Sequence, residues 1–162
     1  MSTAGRQTPR MGATKLRLLK AVAERGMWPA FGTVHAWVYR RSGGRLGHRL
    51  GRFTTLLLTT TGRKSGAART VPLTYLPDGR TYVIVASNGG ADRAPALWLN
   101  LRHTPRARIQ VGRETLEVHA AEADADERRR LWPLVTAYNP AYASYAQITH
   151  RPIPVVILRP WE

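Results

Sequence analysis

The chain has 162 residues, enough for one domain, and 43% of them are hydrophobic, so disorder along the whole length is excluded. It contains no cysteine, which excludes disulfide bonds, thiolate metal sites and cysteine nucleophiles. Its five histidines are scattered without the spacing of a metal site, and we expect no bound metal.

The net charge of +15 is concentrated near the start of the chain. Residues 1–64 contain 13 of the 25 lysines and arginines and a single acid, Glu24. A local excess of this kind indicates an anionic partner, which is a lipid headgroup, nucleic acid or a polyanionic ligand. The alternative is a genome-wide preference for arginine, which supplies 22 of the 25 cations.

The first 41 residues are predicted to form a tail and two helices. Residues 1–12 are polar and lack the apolar core of a signal peptide, so we expect a disordered tail and a cytoplasmic protein. Residues 13–41 have helical periodicity, which Gly26 and Pro29 divide in two. Cations lie around the apolar stripe of this amphipathic segment, and Trp28 and Trp37 lie within the stripe. Two interpretations stay open: peripheral contact with the anionic inner face of the membrane, or packing on its own domain.

Residues 42–162 have the pattern of a β-domain, and its first strand follows a glycine-rich linker at 41–51. Its predicted strands are 53–61, 70–76, 81–86, 107–111, 115–120 and 153–158. Prolines at 152 and 154 favour an edge position for the last strand. Turns are predicted at Pro77-Asp78-Gly79 and at Gly112-Arg113.

Two further helices are predicted within this domain. One covers residues 95–101, with a proline in its first turn. The other runs from Asp124 to about Tyr138, and Asp124 and Glu127 have the spacing of a capping box. Short strands joined by hairpins, with few helices, predict a mainly β fold, a barrel with peripheral helices.

The segment Thr59-Thr-Thr-Gly-Arg-Lys-Ser-Gly-Ala-Ala-Arg69 is a candidate anion site. Its two glycines, four residues apart after a strand, allow backbone N–H groups to face an anion, and Arg63, Lys64 and Arg69 add charge. The Gly-x-x-x-x-Gly-Lys spacing of a P-loop is missing. An ordinary basic hairpin turn is the alternative.

Two other segments are candidates for ligand contact. Ala86-Ser-Asn-Gly-Gly-Ala-Asp92 follows a strand, and its paired glycines allow a ligand close to the backbone while Ser87 offers a hydrogen bond. Tyr138, Tyr142 and Tyr145 share one face if their segment is helical, and stacked aromatic rings suit a flat ligand. A plain turn and plain core packing are the respective alternatives.

Together these segments resemble the deazaflavin-dependent nitroreductase and quinone reductase family over about residues 35–160. The matching runs occur in the same order and spacing: Leu56-Leu-Leu-Thr-Thr-Thr-Gly-Arg-Lys-Ser-Gly66, Arg69-Thr-Val-Pro-Leu73, Val85-Ala-Ser-Asn-Gly-Gly-Ala91 and Trp98-Leu-Asn-Leu101. The resemblance implies a split β-barrel that uses coenzyme F420, an 8-hydroxy-5-deazaflavin. It also implies hydride transfer to a quinone or a nitroaromatic acceptor.

The resemblance implies which residues bind the cofactor. They are Gly62, Arg63, Lys64, Ser65, Gly66 and Arg69 of the basic segment, Val71 and Pro72 of the next strand, Ala86, Ser87, Asn88, Gly89, Gly90 and Ala91 after the third strand, and Trp98 and Asn100 of the first barrel helix. The basic segment would face the phosphate and oligoglutamate tail of the cofactor, because arginine binds carboxylates and phosphates bidentately.

The resemblance also implies an acceptor wall. Tyr138, Tyr142 and Tyr145 would close over the acceptor, and a hydroxyl of Tyr142 or Ser87 would donate to its developing negative charge. An aromatic residue commonly stands in the family where this chain has Leu97, which implies a wider or more aliphatic acceptor pocket.

Two other classes of function stay open on the sequence. One is a barrel that binds the deazaflavin or a lipid without turnover. The other is a nucleic-acid-binding barrel, but aromatic residues are not interleaved with the basic run at 40–52, so we expect no nucleic-acid partner. The sequence predicts no particular oligomeric state.

Overall fold

The structure is a computed structural model that describes Gly12, Thr14 and residues 28–161. Apart from those two single positions, the predicted tail and the first N-terminal helix lie outside the described residues. The second predicted helix is present as α1 (Trp28–Arg41). Proline occupies its first turn at position 29, where the missing N–H has no helical partner to lose.

Six antiparallel strands close into a barrel, which confirms the predicted fold class. They are β2 (Phe53–Thr61), β3 (Ala68–Asp78), β4 (Thr81–Val85), β5 (Arg106–Val111), β6 (Glu114–Glu122) and β7 (Val155–Pro160). Their order around the barrel is β2-β3-β4-β7-β6-β5, and pairing of β5 with β2 closes it. A short β1 (Arg49–Leu50) pairs with the start of β2. Closure pairs both edges of each of the six strands.

The core has an inner and an outer part because several strands are buried on both faces. In β2, Leu56 and Leu58 pack inside the barrel, whereas Leu57 points outward against Tyr39 of α1. In β7, Val156 and Leu158 point inward, while its alternate residues pack against the helices that follow β6. This double burial explains why these strands read as continuous apolar runs.

The predicted edge position of the last strand is wrong. Strand β7 lies between β4 and β6, with Val85 opposite Val155 and Ala120 opposite Leu158. The two prolines at 152 and 154 precede the strand, so they remove no hydrogen bond from its ladder.

The structure also changes one predicted turn and the predicted linker. Pro77 and Asp78 belong to β3, opposite Tyr82 and Thr81, and the turn itself is Gly79-Arg80, with Gly79 at a φ of +59°. The predicted linker at 41–51 is a series of packed turns. A Cβ added to Gly44 would lie 2.4 Å from the Cα of Gly112, so only glycine fits there.

Besides α1, the described residues form three further helices outside the barrel: α2 (Ala96–His103), α3 (Ala125–Tyr138) and α4 (Ala141–Ile148). The predicted capping box is present, since the Asp124 side chain accepts hydrogen bonds from the backbone N–H groups of Asp126 and Glu127. Within the described residues, no helix is both long and apolar enough to cross a bilayer.

The prediction that the three tyrosines share one helical face is wrong. Helix α3 ends at Tyr138 because Asn139 precedes Pro140 and adopts an extended conformation, with a φ of −131°, as residues before proline prefer. Tyr142 and Tyr145 belong to α4. The tyrosines therefore come from two helices joined at a bend.

Candidate active site

A groove of about 310 Å³ lies between the β2–β3 loop and α2. Its polar side is formed by Thr60, the backbone and side chains of residues 62–65, Arg69 and Asn100. Its apolar side is formed by Val71, Ala96 and Leu97. A groove with one cationic and one aliphatic side suits a ligand that is itself part anionic and part apolar.

The basic segment forms a compact loop whose backbone is hydrogen-bonded to itself. The N–H of Gly62 donates to the carbonyl of Ala67 at 2.8 Å, and the N–H of Gly66 donates to the carbonyl of Gly62 at 2.7 Å. Gly66 has a φ of +69°, a conformation that favours glycine. The prediction that backbone N–H groups of this loop face an anion is therefore wrong for Gly62, Arg63, Ser65 and Gly66, whose N–H groups bond within the loop or to Asn100. The side chains of the loop are left to contact an anion.

Asn100 connects this loop to α2. Its side chain is buried, with 5% exposed. The amide nitrogen donates to the Thr60 hydroxyl at 3.1 Å, and the amide oxygen accepts from the backbone N–H of Arg63 at 3.1 Å. Asn100 thus contributes to the groove by fixing the loop as well as by lining it.

The three cations of the groove are not neutralised by neighbouring carboxylates. Within residues 28–161, none of Arg63, Lys64 and Arg69 forms an ion pair, whereas Arg130 and Arg159 pair with Asp78 and Glu127 at 2.8 and 2.6 Å. The groove therefore keeps a positive charge that an anionic ligand would neutralise.

The segment after β4 forms a tight turn, and close approach of a ligand to its glycines stays a prediction. Asn88, Gly89 and Gly90 all have positive φ angles, of 49°, 60° and 80°. Gly90 also packs closely on α4, since an added Cβ would lie 2.8 Å from the Ile148 side chain. Ser87 is buried, and its hydroxyl makes no hydrogen bond to another described residue.

Arg151 contacts this turn and was missed by the sequence reasoning. Its guanidinium donates to the backbone carbonyls of Ala86, Ser87 and Ala91 at 3.2, 2.9 and 3.0 Å. A single arginine between a histidine and a proline has no pattern that would single it out, because its partners are backbone atoms about sixty residues away.

The tyrosines lie where α3 and α4 meet the barrel. Tyr142 is 9% exposed and packs with Leu131 and Val135. Burial raises the pKa of Tyr142 to about 12, and the Asn139 side chain opposes this shift. Its ring lies 6.5 Å from that of Tyr145 at 61°, an edge-on arrangement that aromatic pairs favour.

Tyr138 has a structural partner of its own. Its hydroxyl accepts a hydrogen bond from the backbone N–H of Thr54 at 2.7 Å and lies 2.9 Å from the Thr54 hydroxyl. This contact ties the end of α3 to β2 and occupies the Tyr138 hydroxyl.

Some predicted cofactor residues lie away from the groove surface. Trp98 and Ala86 are buried in the core of the barrel. Pro72 lies opposite Leu57 in the β2–β3 pair. Since Leu57 packs under α1, strand alternation places Pro72 on the outer face of the barrel. Val71, its neighbour, lines the groove.

Comparisons with known proteins match this architecture. The family model described as F420H(2)-dependent quinone reductase matches residues 32–160. An F420H(2)-dependent quinone reductase of Mycobacterium tuberculosis is 43% identical over 129 residues, which are 77% of this chain and 87% of the relative. A second protein of the same organism, named as a putative quinone reductase with the same cofactor, is 41% identical over 106 residues, or 65% and 89% of the two chains.

Solved structures agree with the family match. An F420-H2-dependent reductase, FDR-A, superposes with a TM-score of 0.60 at 38% identity, over 65% of this chain and 93% of that chain. A domain-swapped dimer superposes with a TM-score of 0.63 at 34% identity, over 76% and 98% of the two chains. The matched residues include the basic loop, the turn after β4 and the tyrosine helices. The chain therefore belongs to the F420H(2)-dependent quinone reductase family and uses coenzyme F420.

Proposed function

We propose that this protein is a reductase that passes a hydride from reduced coenzyme F420 to a quinone, with nitroaromatic compounds as further acceptors. The observation that carries the proposal is the groove between the β2–β3 loop and α2, where three cations lack ion-pair partners in the described part of the chain. Residues 42–162 then form the deazaflavin-binding domain.

The groove fits the anionic part of the cofactor. Arg63, Lys64 and Arg69 would bind its phosphate and oligoglutamate tail, because charge-assisted hydrogen bonds to cations are the strongest polar contacts that such groups make. Asn100 would keep the loop in place through its hydrogen bonds to Thr60 and Arg63. The bound cofactor supplies the hydride, and the protein supplies position and electrostatics.

The acceptor side would be formed by the turn after β4 and by α4. A quinone gains negative charge on its oxygen as it is reduced, so a nearby hydroxyl donor stabilises the transition state more than the ground state. Tyr142 is the first candidate donor, because its hydroxyl is protonated at neutral pH and its ring lies beside that of Tyr145 on α4. The Ser87 hydroxyl is the second candidate donor.

We propose that the acceptor also contacts the apolar side of the groove. Val71, Ala96 and Leu97 offer an aliphatic surface, which favours a hydrophobic ring without requiring a specific polar substituent. Nitro compounds share the flat ring and the developing negative charge, so we propose them as the second acceptor class.

Peripheral contact with an anionic membrane is a further part of the proposal. On α1, Val34 and Trp37 are 65% and 63% exposed, and the guanidinium of Arg41 lies 5.9 Å from the Trp37 ring. Exposed apolar side chains next to cations are typical of helices that lie at a lipid interface. This contact would bring the protein to lipid-soluble quinones at the inner face of the membrane.

The direct test is a turnover assay. Reduced coenzyme F420 is mixed with the protein and menadione, and cofactor oxidation is followed by absorbance. We expect catalytic oxidation that depends on both the protein and the quinone, and slower oxidation with a nitroaromatic acceptor. Tight cofactor binding without turnover of either acceptor would instead support a binding protein and contradict the enzyme proposal.

A further inference from the structure

Arg151 lies between α4 and β7, beneath the turn that carries Ser87. Its Nε donates to the carbonyl of Ala91 at 3.0 Å, and its Nη2 donates to the carbonyls of Ala86 and Ser87 at 3.2 and 2.9 Å. One planar group therefore contacts the carbonyls at both ends of the turn. Such contacts to a charged donor are stronger than those between neutral groups.

The residues next to Arg151 contact the same turn. The hydroxyl of Thr149 donates to the carbonyl of Ala91 at 3.4 Å, and the backbone N–H of His150 donates to the Asp92 carboxylate at 2.8 Å. Burial lowers the pKa of Arg151, and the nearby Asp92 carboxylate opposes this shift. Hydrogen bonds thus join the segment 149–151, which lies between α4 and β7, to the turn and to Asp92.

The turn has a backbone that needs such support. Asn88 has a φ of +49° without being glycine, and it is followed by Gly89 and Gly90, also with positive φ. Asparagine adopts this region more readily than most residues with a side chain, and the amide nitrogen of Asn88 donates to the carbonyl of Arg93 at 2.9 Å. Contacts around the turn hold this uncommon conformation in place. The guanidinium of Arg151 provides such contacts, because it donates hydrogen bonds to the carbonyls of Ala86, Ser87 and Ala91.

We propose that Arg151 is the positioning residue of the Ser87–Ala91 turn, fixing its backbone so that Ser87 keeps the orientation required for hydride transfer. The proposal rests on the proposed function for its catalytic part and on the hydrogen bonds alone for its structural part. Arg151 acts through the turn and is not itself a catalytic residue.

The geometry makes the guanidinium fork essential. The carbonyls of Ala86 and Ser87 share Nη2, and that of Ala91 meets Nε. A lysine ammonium keeps the charge but is a compact point donor on a flexible stem. Arg151→Lys should therefore retain part of the turn stability and activity that Arg151→Ala loses.

The structural test uses the protein without cofactor. Hydrogen exchange is measured at the bonded amides of the turn, which belong to Ala86, Gly90 and Ala91. Arg151→Ala should speed their exchange about tenfold or more, because local opening becomes easier when the guanidinium hydrogen bonds are absent. Arg151→Lys should give an intermediate rate.

Arg128→Ala is the matched control. Arg128 donates to the carbonyl of Ile153 at 2.7 Å and its guanidinium lies 4.8 Å from the Trp132 ring. It is thus another arginine that donates to a backbone carbonyl distant in the chain, and within the described residues no hydrogen bond joins it to the turn. Exchange at the Gly90 and Ala91 amides should stay at the parent rate in this variant. The Ala86 amide is not compared, because it bonds to the carbonyl of Pro154, next to the Ile153 carbonyl that Arg128 contacts.

The catalytic test compares kcat for menadione with the Kd of the reduced cofactor. Arg151→Ala should lower kcat ten- to a hundredfold, the size expected for a small misplacement near the reacting groups. The Kd should change less than threefold, because the cations of the groove remain. Arg151→Lys should lie between the alanine variant and the parent.

Three results would overturn the proposal. Parent-like exchange and kcat in Arg151→Ala would show that the turn needs no such residue. Parent-like exchange rates and kcat in Arg151→Lys would show that a positive charge is sufficient and that the guanidinium geometry is not required. If the alanine variant does not fold, parent-like values in the lysine variant contradict the proposal by themselves. A parent protein without turnover would contradict the proposed function instead, and the exchange rates would still decide the structural part.

Discussion

Lys64 and Arg69 determine how the groove would bind an anionic tail. Replacing both with alanine should weaken binding of the reduced cofactor by about 1.5–3 kcal/mol for each charge-assisted hydrogen bond that is removed. Neither residue forms an ion pair within residues 28–161, so their replacement leaves no carboxylate of that part without its partner. Isothermal titration or fluorescence quenching with reduced coenzyme F420 measures the change.

The control for this prediction removes the same charge elsewhere. Arg113 and Arg129 are exposed and do not line the groove. The Arg113→Ala, Arg129→Ala double variant should bind the cofactor like the parent, apart from a small general effect of net charge. Equal weakening in the two double variants would contradict the assignment of the tail to the groove.

Tyr142 allows a test of the proposed donor. Tyr142→Phe keeps the ring, which packs with Leu131 and Val135, and removes only the hydroxyl. The turnover rate with menadione should fall about tenfold or more while cofactor affinity stays nearly constant, the pattern of an interaction made mainly in the transition state. Steady-state kinetics and a cofactor titration of the same preparation give both values.

Tyr142→Ala is the companion variant, in which acceptor binding should weaken as well because the ring is removed. If both variants reduce quinone at the parent rate, Tyr142 is a core residue and not a donor. Its 9% exposure would then reflect packing alone. Its burial alone does not decide between the two roles, since catalytic donors often lie in dry sites.

At the scale of single residues, the sequence predicted the groove better than the supports around it. The basic loop was predictable because its glycine spacing and its cations are adjacent in the chain. Asn100 was named as a cofactor residue, but its hydrogen bonds to Thr60 and Arg63 were not foreseen. Arg151 was missed because 22 arginines look alike when their partners are backbone carbonyls far away in the chain.

Among the elements, those governed by local signals were predicted well. Strand β2 matches its predicted limits at Phe53 and Thr61, and the capping box at Asp124 marks the start of α3. The position of β7 was predicted wrongly because its neighbours are chosen by barrel closure, a non-local property. The bend at Asn139 and Pro140 divided a tyrosine pattern whose spacing alone suggested one helix.

Helix α1 provides a prediction about membranes. Trp37→Ala should reduce binding of the protein to anionic vesicles at low salt, because this exposed ring would enter the interface. The nearby cations should each contribute about 1 kcal/mol at a negative surface, so binding should also fall as salt is raised. Co-sedimentation with vesicles of phosphatidylglycerol and phosphatidylcholine measures both effects.

Trp161 offers a closely matched control. Its ring is 61% exposed, compared with 63% for Trp37, and the guanidinium of Arg106 lies 5.6 Å from it. Trp161→Ala should leave vesicle binding unchanged, since this tryptophan follows β7 and lies on another element. Failure of the parent protein to pellet with vesicles at low salt would mean that α1 serves only to cover the barrel.

For the whole molecule, the buried tyrosines predict how stability depends on pH. Burial raises the pKa of Tyr142 to about 12 and also raises the pKa values of Tyr39, Tyr75, Tyr82 and Tyr145. A folded pKa above the unfolded value, which is about 10 for tyrosine, stabilises the fold below pH 10. This contribution is lost as pH rises toward 12.

Chemical unfolding between pH 8 and pH 12 tests this prediction. The free energy of unfolding should be insensitive to tyrosine ionisation below pH 10 and should then fall. Tyr142→Phe should remove a part of that fall on the order of 2–3 kcal/mol, from a shift of about two pH units. An identical alkaline profile in parent and variant would show that Tyr142 ionises as easily in the fold as in the unfolded chain.

The central position of β7 has a consequence for synthesis in the cell. Residues 155–160 leave the ribosome after the other five strands of the barrel, yet they fill the place between β4 and β6. Until then both neighbours have an unpaired edge, and the barrel remains open with its apolar interior accessible. A nascent chain stalled before residue 155 should therefore be sensitive to protease and should need chaperone protection, as expected where non-local strand pairing completes the fold.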